Sequence, residues 1–377
     1  MSLLTFQGSN CFRQRVVLSL LSGKTIKIDS FRETPALNGN DLTISNDIGV
    51  NSSERNLLDL INKLTSSTSV IEINKTGASV TFKPGTIHGG QITHDCCNDR
   101  SISYYLEVLI YLGPFCKKPL VATLNGVTND PIDPSVDALK VSSLPILKRF
   151  IGDHEGQKLE LKVAARGFMP EGGGQVVFTC PLVRQLLPIQ LTNPGKIKRV
   201  RGVAIAARVS PQMANRMIDV AKGIILQYIP DIYIYSDHHR GKSSGKSPGF
   251  ALVLSAETTE GYIYTSDAVS NPKGSPDGPS LPEQVAEEAA HRLFEEIYRG
   301  GCVDSINQGI ALTCMSFNQK DVSKLMMGPL SMYSAHYLRH IRQFTGLSFM
   351  LDSKDDPPRV LCTCVGLGYS NLSRPTY

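Results

Sequence analysis

One supersecondary pattern recurs three times in this chain: an apolar-periodic helix, a strand, a glycine- or proline-bearing turn, and a second strand. The first copy runs through residues 57–64, 70–74 and 80–82 and ends at Pro84-Gly85. The second occupies 144–150, 159–164 and 176–180, and the third 338–344, 347–351 and 360–365, ending at Gly366. Further helical periodicity covers 104–112 and 282–298. Copies one and two are about ninety residues apart, a spacing that suits packed α/β modules rather than a solenoid of short units. Copy three lies much further on, so a segment is inserted. Residues 185–280 have their own pattern: strands at 203–208 and 231–235 flank a helix at 211–227, and strands follow at 250–257 and 262–264. Ser210-Pro211 opens that helix as N-cap and first-turn proline. A Pro/Gly/Ser-rich stretch at 271–282 reads as a linker. The expectation is an α/β (α+β) protein. Three repeated modules form one large domain, with modules one and two at 1–184 and module three at 281–377, and a smaller α/β domain is inserted at 185–280.

At 377 residues the chain can bury a large core, and 41% hydrophobic with 19% charged residues describes a folded chain. A formal charge of +5 permits a polyanionic partner without demanding one. No run reaches the roughly 18 apolar residues of a membrane span, and Met1-Ser2-Leu3-Leu4-Thr5 lacks the basic start of a secretory signal. The nine cysteines are odd in number and scattered, with Cys96-Cys97 adjacent and Cys362 and Cys364 alternating on a strand. They form no zinc pattern and suit a reducing compartment, cytosolic or nuclear.

Arg166-Gly167-Phe168-Met169-Pro170-Glu171-Gly172-Gly173-Gly174-Gln175 is the most unusual string. Three glycines allow positive φ and bring backbone N–H groups close to a partner, either as an anion cradle or as a wide hairpin connection. Arg240–Ser247 imitates a P-loop, but only three residues separate Gly241 from Gly245, and Pro248 stands where the helix should begin. Nucleotide hydrolysis is therefore excluded there, while Lys242 and Lys246 in that loop remain open to phosphate contact or plain solvation. Lys196 and Lys198 alternate with Arg199 and Arg201, so a strand puts the lysines on one face and the arginines on the other. Either a charge-protected edge or contact with an RNA backbone fits. Across 185–280 there are eleven Lys and Arg against seven Asp and Glu, so most of the excess positive charge lies in the insert.

The string at Arg166–Gly174 resembles the signature of the RNA 3′-terminal phosphate cyclase family. Four further strings place the chain with that family's cyclase-like, non-cyclase branch: Asn125-Gly126-Val127-Thr128-Asn129-Asp130, Arg208-Val209-Ser210-Pro211-Gln212-Met213, Ser244-Gly245-Lys246-Ser247-Pro248-Gly249 and Glu296-Ile297-Tyr298-Arg299-Gly300-Gly301. Gly366-x-Gly368-Tyr369-Ser370-Asn371 fits as well. The likeness spans nearly the whole chain and is weakest in the Asn/Ser-rich stretch 33–53, which reads as a loose loop. Cyclases of the family carry an acidic residue in an N-terminal glycine-rich loop and a nucleophilic histidine in the last module. Here the resemblance implies that both are lost, with Phe6 at the acidic position and Tyr333 at the nucleophile. His336 and His340 follow Tyr333 on the same helical side. The vestigial pocket is expected at Arg13, Arg166 and Gly172, Gly173 and Gly174.

For the branch, the resemblance implies a nucleolar role in the small-subunit processome. That role is early cleavage toward small-subunit ribosomal RNA, in partnership with a ribosome-assembly GTPase whose GDP/GTP exchange it promotes. The chain is further expected to be a monomer with no cofactor, metal or membrane contact. An endonuclease activity proposed for the branch falls on Arg339, His340 and Arg342, where an imidazole between guanidinium groups would have to act as acid and base.

Overall fold

The recurring pattern is the second half of a longer unit, strand–helix–strand–helix–strand–strand. A computed structural model of the chain describes residues 3–32, 49–276, 278–355 and 358–372, with the side chains of Lys242 and Asp355 excepted. Most of the polar stretch expected as a loose loop, 33–48, lies outside the described residues. Module one contains β1 (Leu3–Gln7), α1 (Phe12–Ser22), β2 (Thr25–Asp29), α2 (Ser52–Leu64), β3 (Val70–Ile73) and β4 (Val80–Lys83). Module two contains β5 (Gly89–Asp95), α3 (Ile102–Leu112) and β6 (Lys118–Gly126), then the short α4 (Val136–Ala138), α5 (Leu144–Ile151), α6 (Asp153–Gly156), β7 (Glu160–Ala165) and β8 (Gly174–Cys180). Next comes β9 (Gln190–Leu191), then the insert: β10 (Ile197–Ala207), α7 (Pro211–Ile225), β11 (Ile232–His239), β12 (Gly249–Thr258), β13 (Ile263–Val269) and α8 (Pro282–Arg299). The chain closes with α9 (Gln308–Phe317), β14 (Val322–Met327), α10 (Met332–Thr345), β15 (Met350–Asp355) and β16 (Pro358–Val365).

The sheet orders reveal the repeat: β1-β2-β4-β3, β5-β6-β8-β7 and β9-β14-β16-β15. In each, the first pair is parallel and the other two pairs are antiparallel. The crossover helices α3 and α9 are apolar nearly all round, and that drives them to the centre. All ten residues of α9 and ten of the eleven in α3 are buried. One core cluster runs through all three modules, from Val16 and Leu18 of α1 through Leu106 and Leu109 of α3 to Leu312 and Met315 of α9.

Two expected boundaries shift. Module three begins before the insert, because Gln190 and Leu191 pair in parallel with Lys324 and Leu325 of β14. Two residues carry no periodicity, so this strand is silent in the sequence. At the other end, α8 packs with the insert and not with module three. Val285, Ala286, Ala289, Ala290 and Leu293 share a core with Val200, Leu252 and Leu254 of the inserted sheet. An amphipathic stripe shows that a helix must cover a sheet without saying which one.

The inserted sheet has the order β11-β10-β12-β13, and α7 and α8 both lie on one of its faces. Ser210 caps α7 as expected, its Oγ accepting the Gln212 N–H at 3.3 Å. A separate small cluster joins the insert to module two: Phe168 and Ala138 pack on Ile205, Ala207, Ala251 and Val253. Burying a Phe-sized side chain is worth roughly 1.5–3 kcal/mol, so this seam is a real but modest attachment.

Candidate functional site

Arg13 and Tyr333 meet where helices of the three modules converge. They line a cavity of about 190 Å³ with Glu107, Tyr111, Ser143 and Asn307. Arg13 projects from the first turn of α1 and pairs with Glu107 of α3 at 2.5 Å. It also lies 4.4 Å from the centre of the Tyr104 ring and donates to the Tyr104 carbonyl at 3.2 Å. Asp133 stands 3.9 Å away and is itself held by Arg100 in a two-pronged pair, both contacts 2.6 Å. Burial works against the Arg13 charge, but the Glu107 and Asp133 carboxylates outweigh it and hold the guanidinium firmly protonated. Its charge is thus already balanced within the protein. Tyr333 sits in the first turn of α10, and burial followed by the Glu107 charge pushes its phenol above its ordinary range. A neutral phenol there is a poor nucleophile.

Phe6 and His340 lie outside that cavity. Phe6 is 8% exposed, stacks on Phe344 with ring centres 5.6 Å apart, and meets the His340 ring edge-on at 5.5 Å. The aromatic at the acidic position has become core. His340 is 7% exposed, and its Nδ1–H donates to Gln14 Oε1 at 3.2 Å, while Gln14 Nε2 donates to the Tyr333 carbonyl at 3.3 Å. Burial, then the Arg15 charge, lowers its pKa to about 4. Arg339 and Arg342 are exposed on the opposite side of α10. The three residues of the expected acid–base cluster are therefore adjacent in sequence and apart in space. His340 lies two turns along α10 from Tyr333 on the same helical side, so that Tyr333 stands beside Glu107 of α3 while His340 stands beside Phe6 of β1.

Arg166 and the glycine triplet do not join Arg13. Arg166 is 5% exposed and bridges two carboxylates, donating to Asp137 of α4 at 3.0 Å and to Asp237 of β11 at 2.8 Å. Burial opposes its charge, but the two aspartates raise its pKa above the ordinary value. Asp237 is in turn 2.8 Å from His239 Nε2. The loop around Gly241–Ser244 docks on the triplet: Arg166 N–H donates to the Ser243 carbonyl at 2.9 Å, Lys246 N–H to the Gly172 carbonyl at 2.9 Å, and Glu171 N–H to Ser247 Oγ at 3.1 Å. A Cβ on Gly245 would lie 2.5 Å from the Arg166 carbonyl oxygen and 2.6 Å from that of Gly172. These glycines serve close backbone approach between module and insert, and the space expected for an anion is filled by the insert's own loop. After Ser244 the chain enters β12 with no helix, in keeping with the exclusion of a P-loop.

Among the insert's other cations, Arg199 pairs with Glu257 at 2.7 Å and Arg201 with Asp231 at 2.8 Å. Lys196, Lys198 and Lys246 are exposed, and the Lys242 side chain lies outside the described residues. Lys198 falls at a register shift between Ile197 and Arg199, which leaves it out of the ladder. Among the described residues no group of three His, Cys, Asp or Glu side chains could hold a metal ion. The carboxylates Glu107, Asp133, Asp137 and Asp237 were missed as partners. The run Asp130-x-x-Asp133-x-x-x-Asp137 is a visible signal that buried arginines would find acids nearby.

A family profile described as RNA 3′-terminal phosphate cyclase matches residues 4–351. The chain is 49% identical to the RNA 3′-terminal phosphate cyclase-like protein of Homo sapiens, over 98% of this chain and 97% of that one. It is 43% identical to a probable protein of the same description from Dictyostelium discoideum, covering 100% of both. The rRNA processing protein rcl1 of Schizosaccharomyces pombe is 37% identical over 98% of this chain and 97% of its own length. With the profile spanning most of the sequence and the relatives covering it end to end, the chain belongs to the RNA 3′-terminal phosphate cyclase family.

Proposed function

We propose that this protein is a non-cyclase factor of ribosome assembly. It acts in the small-subunit processome, in the nucleolus, in the early pre-rRNA processing that yields 18S rRNA. It works as a monomeric docking body that binds pre-rRNA and a ribosome-assembly GTPase, whose GDP/GTP exchange it promotes. It needs no cofactor. The observation that carries the non-cyclase part is Tyr333: a partly buried neutral phenol beside a charge-balanced Arg13, at the position where the family's cyclases hold the nucleophilic imidazole. Support for the rRNA part comes from the description of the fission-yeast relative as an rRNA processing protein. The pre-rRNA endonuclease alternative draws no support from α10, where His340 is buried and neutral while Arg339 and Arg342 face solvent.

Incubating the purified protein with labelled ATP and an RNA bearing a 3′-phosphate tests the chemistry. The expected result is unlabelled protein and unchanged RNA ends, and an adenylylated protein would overturn the reading. Depletion in cells should reduce 18S rRNA and leave large-subunit rRNA in place; unchanged 18S levels would remove the processing role.

A further inference from the structure

The insert's four-stranded sheet is covered by helices on one face only. Val200, Ala204, Leu252, Leu254 and Ile234 point into the core beneath α7 and α8. The alternate residues point the other way. Module two covers one end of that second face through Phe168 and Ala138 on Ile205, Ala207, Ala251 and Val253, and the β13 side is closed where Thr265 donates to Asp304 and the Ser135 N–H donates to Asp267. At the uncovered end, the edge strand β11 presents Tyr233 and Tyr235, 61% and 51% exposed. In register beside them on β10 stand Arg201, opposite Tyr233, and Val203, opposite Tyr235. Arg199 is two residues further along the same face. Among the described residues the four exposed tyrosines, Tyr228, Tyr233, Tyr235 and Tyr298, all lie in the insert.

An exposed tyrosine pair is unfavourable for solubility and contributes nothing to the core, so its placement calls for a ligand with flat apolar faces. Residues i and i+2 on a strand are roughly 6.4–6.8 Å apart on one face, a spacing that lets two splayed nucleobases each take a ring. The charge is complementary. Arg199 and Arg201 flank the tyrosines, and the acids near them are already engaged, Glu257 by Arg199, Asp231 by Arg201 and Asp237 by Arg166. Solvent screens ion pairs as exposed as these, so a phosphate can replace the carboxylate at little cost. We infer that the open face of the inserted sheet is a stacking platform for single-stranded RNA, with Tyr233 and Tyr235 as base-stacking residues and Arg199 and Arg201 as backbone contacts. The inference rests on the RNA-binding part of the proposed function and adds the surface and the ligand class.

The test is fluorescence anisotropy with the full chain and a labelled single-stranded RNA of about 12 nucleotides, alongside a duplex of the same sequence. Removing a stacking ring weakens single-strand binding by roughly tenfold or more per tyrosine. The Tyr233→Ala/Tyr235→Ala variant should therefore bind far more weakly than wild type, with its melting temperature unchanged. Tyr233→Phe/Tyr235→Phe, which keeps the rings, should stay within about twofold, and neither pair should alter duplex binding. Ultraviolet crosslinking of the wild-type protein should label the peptide spanning 231–239. If wild type binds single-stranded RNA and the alanine pair binds equally well, or if crosslinks avoid 231–239, the platform is wrong while RNA binding stands. If wild type binds no RNA at all, the RNA-binding reading itself fails and the platform with it.

Discussion

Arg13 and Arg166 begin as equals: two arginines in glycine-marked surroundings, both expected to face an anion. The fold gives both of them carboxylates, yet for different ends. Arg13 stays at the wall of a cavity, held by Glu107 and stacked on Tyr104, with Tyr333 alongside. Arg166 has no cavity; it ties Asp137 of module two to Asp237 of the insert, beneath a loop that fills the glycine bend. The most diagnostic string in the sequence is thus a joint between two domains. The less conspicuous Arg13 sits where small-molecule chemistry would have room.

That contrast can be broken most forcefully at the joint. Arg166→Ala leaves two carboxylates without their buried partner, and orphaning a buried ion pair costs roughly 3–5 kcal/mol. Its urea midpoint should fall sharply, and an unchanged midpoint would mean the bridge is not a joint at all. Gly245→Ala comes next. Its φ of 63° and the near-contacts of an added Cβ with two carbonyl oxygens imply a cost of about 2–3 kcal/mol. Limited proteolysis should then cut 240–247 faster than in wild type; equal rates would detach that loop from the argument for close docking.

The aromatic core next to the cavity, where Gln14 links His340 to the Tyr333 carbonyl, is sharpened by pH. His340 has a folded pKa of about 4 against an ordinary 6.5, so it binds its proton more readily when unfolded. Its neutral form stabilises the fold above pH 6.5, and that stability drains away as pH falls toward 4, by roughly 3 kcal/mol at the limit. Asp130 and Asp304 act in the opposite sense, since burial raises each to about 6 and favours the folded state as pH falls from 6 to 4. The wild-type curve alone therefore mixes the two. The difference between wild type and His340→Gln isolates the imidazole and should steepen below pH 6.5; a flat difference would place His340 in water. The smallest effect belongs to Arg339→Ala/Arg342→Ala, which should shift stability by no more than about 0.5 kcal/mol because both side chains are solvated.

Much of the architecture was legible along the chain. The helices and strands of the three copies, and those of the insert, carry strong apolar periodicity, and they appear near where that periodicity places them, except that the strand expected at 347–351 begins three residues later, at Met350. The two-residue β9 did not announce itself, and α8 was assigned to the wrong neighbour, because periodicity records that a face is buried and not against what. The site was legible as residue types and misread as a constellation. Phe6, Tyr333, His340, Arg13 and Arg166 were all singled out, but they divide among an aromatic core, a cavity and a domain joint.

Amino-acid order alone determined the repeated α/β units, the inserted domain and the family, because local periodicity and short backbone-demanding strings are encoded within a few residues of themselves. Which arginine keeps a cavity, which carboxylates neutralise it, and which face of the inserted sheet stays open were decided only by the tertiary structure. Asp237 reaches Arg166 across 71 residues of sequence, and Gln14 reaches His340 across 326. The energy of a buried charge depends on such partners, which no local pattern contains.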